Sequence, residues 1–134
     1  MDHVADTHAI VWHLFAPSRL GKAAQAALAD ATSGNSRIYI PAVVVAEMIM
    51  VVEKKRLPGI PMSQLEIELS LMKHSACYDF LPLFPELVIF SRQLTAVPDI
   101  FDRLVVAEAV QLGLPLLTSD SVIRASGLVS VVWD

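Results

Sequence analysis

Asp99-Ile-Phe-Asp102-Arg103-Leu-Val-Val-Ala-Glu-Ala-Val-Gln-Leu112-Gly113-Leu-Pro115-Leu-Leu-Thr118-Ser119-Asp120 is the stretch that decides how this chain folds. From Phe101 to Leu112 the apolar residues recur at helical spacing, and Gly113 supplies the residue type that closes a helix. Pro115 to Thr118 is then a short apolar run that ends on hydroxyls and an acid, as a strand does where it leaves a sheet. A helix handing over to a strand within a few residues is one repeat of an alternating α/β chain.

Outward from this stretch the same alternation holds. His3-Val-Ala5 reads as a strand ending at Asp6, and Thr7 to Ala16 as a helix with Ile10, Val11, Leu14 and Phe15 on one side and Pro17 just beyond. Leu20 to Ala31 is alanine-rich and helical, Ser33-Gly-Asn-Ser36 is a turn, and Arg37 to Ile40 is a β-branched and aromatic strand. Pro41 suits the first turn of a helix running to about Arg56, before Pro58-Gly59. Ser63 and Glu66 have the spacing of a capping box, which predicts another helix there. Tyr78 to Leu83 reads as a strand, Pro85 to about Thr95 as a helix, Ser121 to Ala125 as a short helix and Leu128 to Trp133 as the last strand. The expected fold is three-layer α/β/α, with right-handed crossovers and a mainly parallel central sheet of about five strands. No repeat, low-complexity tract or linker divides the chain, so one domain over residues 1–134 is expected.

Composition bounds the function. The chain is 54% hydrophobic and 18% charged, with mean hydropathy +0.56, enough apolar material for a sheet covered on both faces and a protein interface besides. The longest apolar run, Ile38 to Val52, is broken by Pro41 and Glu47, so no membrane span is expected. Met1-Asp2-His3 lacks the basic start of a signal peptide, and Cys77 has no second cysteine to pair with; a cytoplasmic location is the expectation. A net charge of −4 excludes nucleic-acid binding driven by charge over the whole surface, though not at an acidic pocket whose field bound cations reverse.

Four acids fall where strands end or apolar helices begin: Asp6, Glu47, Asp102 and Asp120. In a parallel sheet ligands gather at the carboxyl ends of the strands, so all four are able to share one edge. Glu47 lies between Val43-Val-Val-Ala46 and Met48-Ile-Met-Val-Val52, where an unpaired ionised carboxylate costs several kcal/mol. Asp6 and Asp120 are equally well placed as plain helix caps, and Asp99 reads mainly as one. Arg103 is open to three roles: surface charge, partner of a neighbouring acid, or phosphate contact. Grouped carboxylates repel unless a cation neutralises them, so the set points to a hard divalent metal and phosphoryl or phosphodiester hydrolysis. The four histidines, His3, His8, His13 and His74, have no metal-ligand spacing and read as surface or satisfied core residues.

These segments resemble a known family. Val4-Ala-Asp6-Thr-His-Ala-Ile-Val-Trp12 is similar to the opening of PIN domains, and Pro41-Ala-Val-Val-Val-Ala-Glu47 to their second acidic segment. Asp99-Ile-Phe-Asp102-Arg103 resembles the Asp-Pro-Phe-Asp-Arg motif of the VapC-like toxin branch, with Ile100 where proline is usual, and Leu116-Leu-Thr118-Ser-Asp120 resembles the strand that delivers the last acid. The resemblance implies a Mg²⁺- or Mn²⁺-dependent endoribonuclease, a homodimeric toxin held inactive by an antitoxin. It implies that Asp6, Glu47, Asp102 and Asp120 hold metal, with Thr118 hydrogen-bonding beside them and Asp99 auxiliary. Arg19, Lys22 and Arg103 are the expected RNA contacts near the mouth. The Lys54-Lys55-Arg56 cluster reads first as a solvated helix end.

Other acidic-pocket folds fit less well. Haloacid-dehalogenase-type phosphatases need Asp-x-Asp after the first strand, where this chain has Asp6-Thr-His8, and both they and response-regulator receivers use a late lysine, whereas none follows Lys73. The remaining alternatives are a PIN nuclease without a toxin role and a non-catalytic module that binds a partner.

Overall fold

The computed structural model describes residues 1–134. The elements run β1 (His3–Ala5), α1 (Thr7–Phe15), a 3-10 turn (Pro17–Arg19), α2 (Lys22–Thr32), β2 (Ile38–Pro41), α3 (Ala42–Glu53), α4 (Met62–Lys73), β3 (Tyr78–Leu81), α5 (Pro85–Ser91), α6 (Ile100–Leu112), β4 (Leu116–Leu117), α7 (Ser121–Ser126) and β5 (Val131–Val132). The five strands form one sheet in the order β3-β2-β1-β4-β5, and every neighbouring pair is parallel. Helices cover both faces, giving the three-layer α/β/α architecture expected.

β1 is buried along its whole length and sits at the centre of the sheet. Val4 and Ala5 are fully buried, and Val4 pairs with Tyr39 of β2 on one side and Leu116 of β4 on the other. A strand buried on both faces needs no polar alternation. Its core continues through Ile10, Leu28, Ile38, Ile40, Met48, Leu65, Leu116, Leu117 and Ile123, all sealed from solvent. Burial of such side chains stabilises by about 1.5–3 kcal/mol each, which fixes the positions of the strand ends.

Strand order also creates the site. The chain steps outward from β1 to β2 to β3, then returns to the other side of β1 for β4 and β5. Between β1 and β4 the direction of progress reverses, and a crevice opens there at the carboxyl ends of the strands.

Several local details differ from the sequence reading. Ser63 and Glu66 form no capping box: α4 starts two residues earlier, with Pro61 at the cap and no side-chain cap bond. The Pro61 carbonyl takes the first helical bonds, from the Gln64 and Leu65 amides, which leaves Ser63 inside the helix. α3 ends at Glu53, short of Arg56, because Lys55 adopts a left-handed φ of 56°. The Lys55 amide then donates to the Val52 carbonyl and the Arg56 amide to that of Val51, both at 3.0 Å, closing the helix as a Schellman turn. α5 stops at Ser91 and continues as tight turns, with Gln93 donating to Phe90 and Leu94 to Ser91, short of Thr95 as a helix end. Strands β3 and β5 are shorter than Tyr78–Leu83 and Leu128–Trp133. At α6 the expectation holds: Gly113 closes the helix with φ 66°.

The last strand is strapped to α2. The Ala24 amide donates to the Trp133 carbonyl at 3.0 Å, and a Cβ on Gly21 would stand 2.6 Å from the Trp133 carbonyl carbon. Glycine is therefore needed at position 21 for close approach. No helix is long and apolar enough to cross a membrane.

Candidate functional site

Each acid is delivered by a different element. Asp6 follows β1 and caps α1, its Oδ1 accepting from the Ala9 amide at 2.9 Å. Asp120 follows β4 and caps α7, accepting from the Ile123 amide at 2.9 Å. Glu47 lies in the second turn of α3, which leaves the carboxyl end of β2. Asp102 is in the first turn of α6. All four are partly buried. Asp6 and Asp120 are thus caps as well as pocket acids, since a cap uses one carboxylate oxygen and leaves the other free.

Their mutual proximity is written in their acidities. Burial pushes Asp102 up to about 6, and the negative charges of Asp99, Asp120, Glu47 and Asp6 each add to the rise. Asp6 is also pushed up to about 6, mainly by burial and in small part by Asp120, while the Thr118 hydroxyl, the Ala9 amide and His8 favour its ionised form. Glu47 is raised by burial and by Asp99, and lowered by the Thr7 hydroxyl and His8. Loss of hydration and like charge both disfavour the carboxylates. None of the four is in an ion pair, and His8 alone offsets Asp6 and Glu47 in part: the chain's ion pairs are Arg37–Asp79 and Arg124–Asp134, both on exposed surface.

Supporting polar groups are specific. The Thr7 hydroxyl donates to Glu47 Oε1 at 2.9 Å, tying α1 to α3. Thr118 is fully buried, and its Oγ1 accepts from the Asp120 amide at 3.1 Å. Asp99 turns inward to its own helix, accepting from the Phe101 and Asp102 amides at 2.8 and 3.1 Å, and so serves as the cap the sequence suggests.

The basic residues divide. Arg19 and Lys22 are exposed. Arg103 is turned away from the acids: its Nη2 donates to the Pro98 carbonyl at 2.9 Å, and its buried Nε has no partner. Of the sequence's three roles for Arg103, partner of a neighbouring acid is the one its contacts do not show: the guanidinium is in no ion pair and pins the loop that leads into α6.

Sequence reasoning passed over two participants. Thr7 gave no signal beyond lying next to Asp6, and its bond to Glu47 spans 40 positions. His8 was placed with the surface histidines; it is exposed, but close enough for its charge to act on both Asp6 and Glu47. The signal available was its position two residues after a strand-end acid. Two of the other histidines behave as expected, His13 bonding to Tyr78 Oη at 3.0 Å and His74 to its own helix, whereas His3 is buried with its Nδ1 unpartnered and so is not the satisfied core residue expected.

The donor set suits one kind of ligand. Carboxylate oxygens are hard donors, and repulsion among four acids is relieved by a small multivalent cation. No three of these side chains stand close enough to ligate one ion together. That spacing fits an ion such as Mg²⁺, which keeps several waters and binds few carboxylates directly.

The comparisons agree with this fold. The family model described as PIN domain matches residues 4–127. No curated protein matches the sequence significantly. Among solved structures, VapBC2 from Rickettsia felis, bound to a DNA fragment from their promoter, superposes with TM-score 0.72 at 17% identity, covering all of both chains. FitAcB from Neisseria gonorrhoeae gives 0.67 at 18% identity over 98% of this chain and 96% of that one. FitAB bound to an IR36 DNA fragment gives 0.65 at 20% identity over 98% and 93%.

Proposed function

We propose, from the premise that this chain belongs to the PIN domain family, that it is a Mg²⁺- or Mn²⁺-dependent endoribonuclease and the toxin of a toxin–antitoxin pair. The observation that carries the reading is a set of four partly buried acids, Asp6, Glu47, Asp102 and Asp120, coupled at the switch between β1 and β4 with no ion pair to balance them.

In this reading the acids would hold the cation, two at most directly and the others through its waters, and when bound it would polarise the phosphate and make water more acidic. The chain's own groups do the rest. Asp102 or Asp120 orients the attacking water and takes its proton. Thr7 fixes the Glu47 carboxylate, while Thr118 and the Ala9 amide keep Asp6 ionised at neutral pH. Asp99 holds the start of α6, and with it Asp102, in place. Arg19 and Lys22 are free to meet the RNA backbone locally on a protein that is acidic overall.

The toxin assignment rests on the likeness of Asp99–Ala107 to the VapC-like branch; the solved neighbours add the fold. Ile67 and Leu71 on α4, each 61% exposed, are apolar surface of the kind a protein partner covers, which supports an antitoxin and a second copy as partners. A reducing cytoplasm suits the lone Cys77.

The test is RNA cleavage by purified protein with and without Mg²⁺ or Mn²⁺, beside Asp6→Asn and Asp102→Asn. With water as nucleophile the products carry 5′-phosphate and 3′-hydroxyl ends. Products ending in 2′,3′-cyclic phosphate, or cleavage indifferent to both substitutions, would refute the mechanism.

A further inference from the structure

Close in sequence to the pocket acid Asp6, three planar groups pack together around Trp12. His8 and Trp12 are four residues apart on one face of α1, with ring centroids 5.5 Å apart and planes inclined at 37°. Arg19, from the 3-10 turn after α1, lays its guanidinium over the Trp12 ring at 4.0 Å from the centroid. Trp12 is partly buried and packs against the core, so it is the fixed member, whereas His8 and Arg19 are exposed. Arg19 is in no ion pair. Lys22 opens α2 three positions further on and is also exposed. His8 puts this cluster beside the pocket, since it lies two residues after Asp6 and its charge acts on Asp6 and Glu47.

Planar rings and guanidinium planes are what unstacked bases pack against, and cations beside them hold the backbone. A guanidinium already held on an indole face loses less freedom when it binds a phosphate. We propose that His8, Trp12 and Arg19 form a docking shelf for single-stranded RNA, with the His8 ring taking the face of a base and the Arg19 guanidinium a phosphate. The choice of RNA as occupant rests on the nuclease reading above. The shelf explains how a chain of net charge −4 holds a polyanion: it needs one cation and stacking, not a broad basic surface.

The experiment measures binding in EDTA, where no cleavage occurs, by fluorescence anisotropy of a labelled single-stranded oligoribonucleotide and of an abasic strand of the same length. His8→Ala and Arg19→Ala are each expected to weaken binding of the intact strand about tenfold. On the abasic strand the His8→Ala effect disappears and the Arg19→Ala effect remains. A thermal melt of each variant confirms folding, since a purely structural stack would alter the melt and not the difference between probes. Unchanged affinity in both variants, or an equal His8 effect on both strands, overturns the shelf. If metal-dependent cleavage sensitive to Asp102→Asn is present while both variants bind like the parent, the shelf fails alone. If no cleavage occurs with either metal while the variants still discriminate the probes as described, the shelf stands and the nuclease reading fails.

Discussion

Thr7 and Glu47 are joined by a hydroxyl-to-carboxylate hydrogen bond of 2.9 Å that bridges the first and third helices. Thr7 is nearly sealed from solvent at 6% exposure, and the bond favours the charged form of Glu47 against its burial. One short side chain thereby sets both the position and the charge of an acid it is remote from in sequence.

Replacing Thr7 by valine keeps the shape and removes the donor. Thr7→Val is expected to raise the Glu47 pKa further and to destabilise the fold by about 1 kcal/mol, the net worth of one such bond. Thr7→Ser should restore most of both. Carboxyl-carbon NMR titration and urea denaturation read the two effects; a Glu47 titration unmoved by valine would refute the role.

Asp6 and Asp102 titrate at about 6 in the folded protein against an ordinary 3.8. The folded chain therefore binds more protons than the unfolded one between about pH 4 and about pH 6, and stability contributed by these groups falls as pH rises through that window. Their charged forms, which a cation needs, fill over the same range, so metal-dependent cleavage should climb with pH and level off about a unit above 6. Thermal melts in EDTA and rate–pH profiles test both directions. A cleavage rate that falls between pH 5 and 7 would contradict the assignment.

Asp102→Asn separates stability from activity. Removing one charge from the cluster relieves repulsion, so the metal-free variant is expected to melt roughly 2–5 °C higher, after allowance for solvent screening. It should gain no stability from Mg²⁺ and should cleave at least about 100-fold more slowly, the upper end of what loss of a ligand's supporting partner costs. Calorimetry with and without Mg²⁺ decides; an unstabilised metal-free variant would mean that the acids do not repel one another.

Lys55 holds a left-handed φ of 56° at the end of α3, a conformation that costs a side chain about 1 kcal/mol. Lys55→Gly removes that strain and should raise the urea midpoint correspondingly, provided the added freedom of the unfolded chain does not cancel it. No effect on cleavage is expected. A lowered midpoint would mean that the lysine side chain contributes more than its backbone loses.

The layer architecture and the four acids were legible because their signals are local. Strands such as Val4-Ala5 and Leu116-Leu117 are apolar runs bounded by a polar residue, and Asp6 and Asp120 mark the ends of both. Gly113 announced the end of α6 because glycine is the residue such a turn prefers, while Lys55 performed the same turn at α3 with no compositional mark. The Ser63 and Glu66 spacing misled because Pro61 had already taken the cap position. What the chain did not disclose is what depends on distant pairing: Thr7 with Glu47, Arg103 with the Pro98 carbonyl and His8 with Trp12. Side-chain direction decides each of these, and only the assembled layers fix it.

The central place of β1 has a consequence for synthesis. β1 is made before β2 and β3, but one of its two sheet neighbours, β4, is made after both of them, and Asp120 follows that strand. A nascent chain that has not yet exposed β4 lacks both the second wall of the crevice and the last acid. Assembly of the four acids therefore has to wait for β4 and Asp120, however early β1 and its own acid are made.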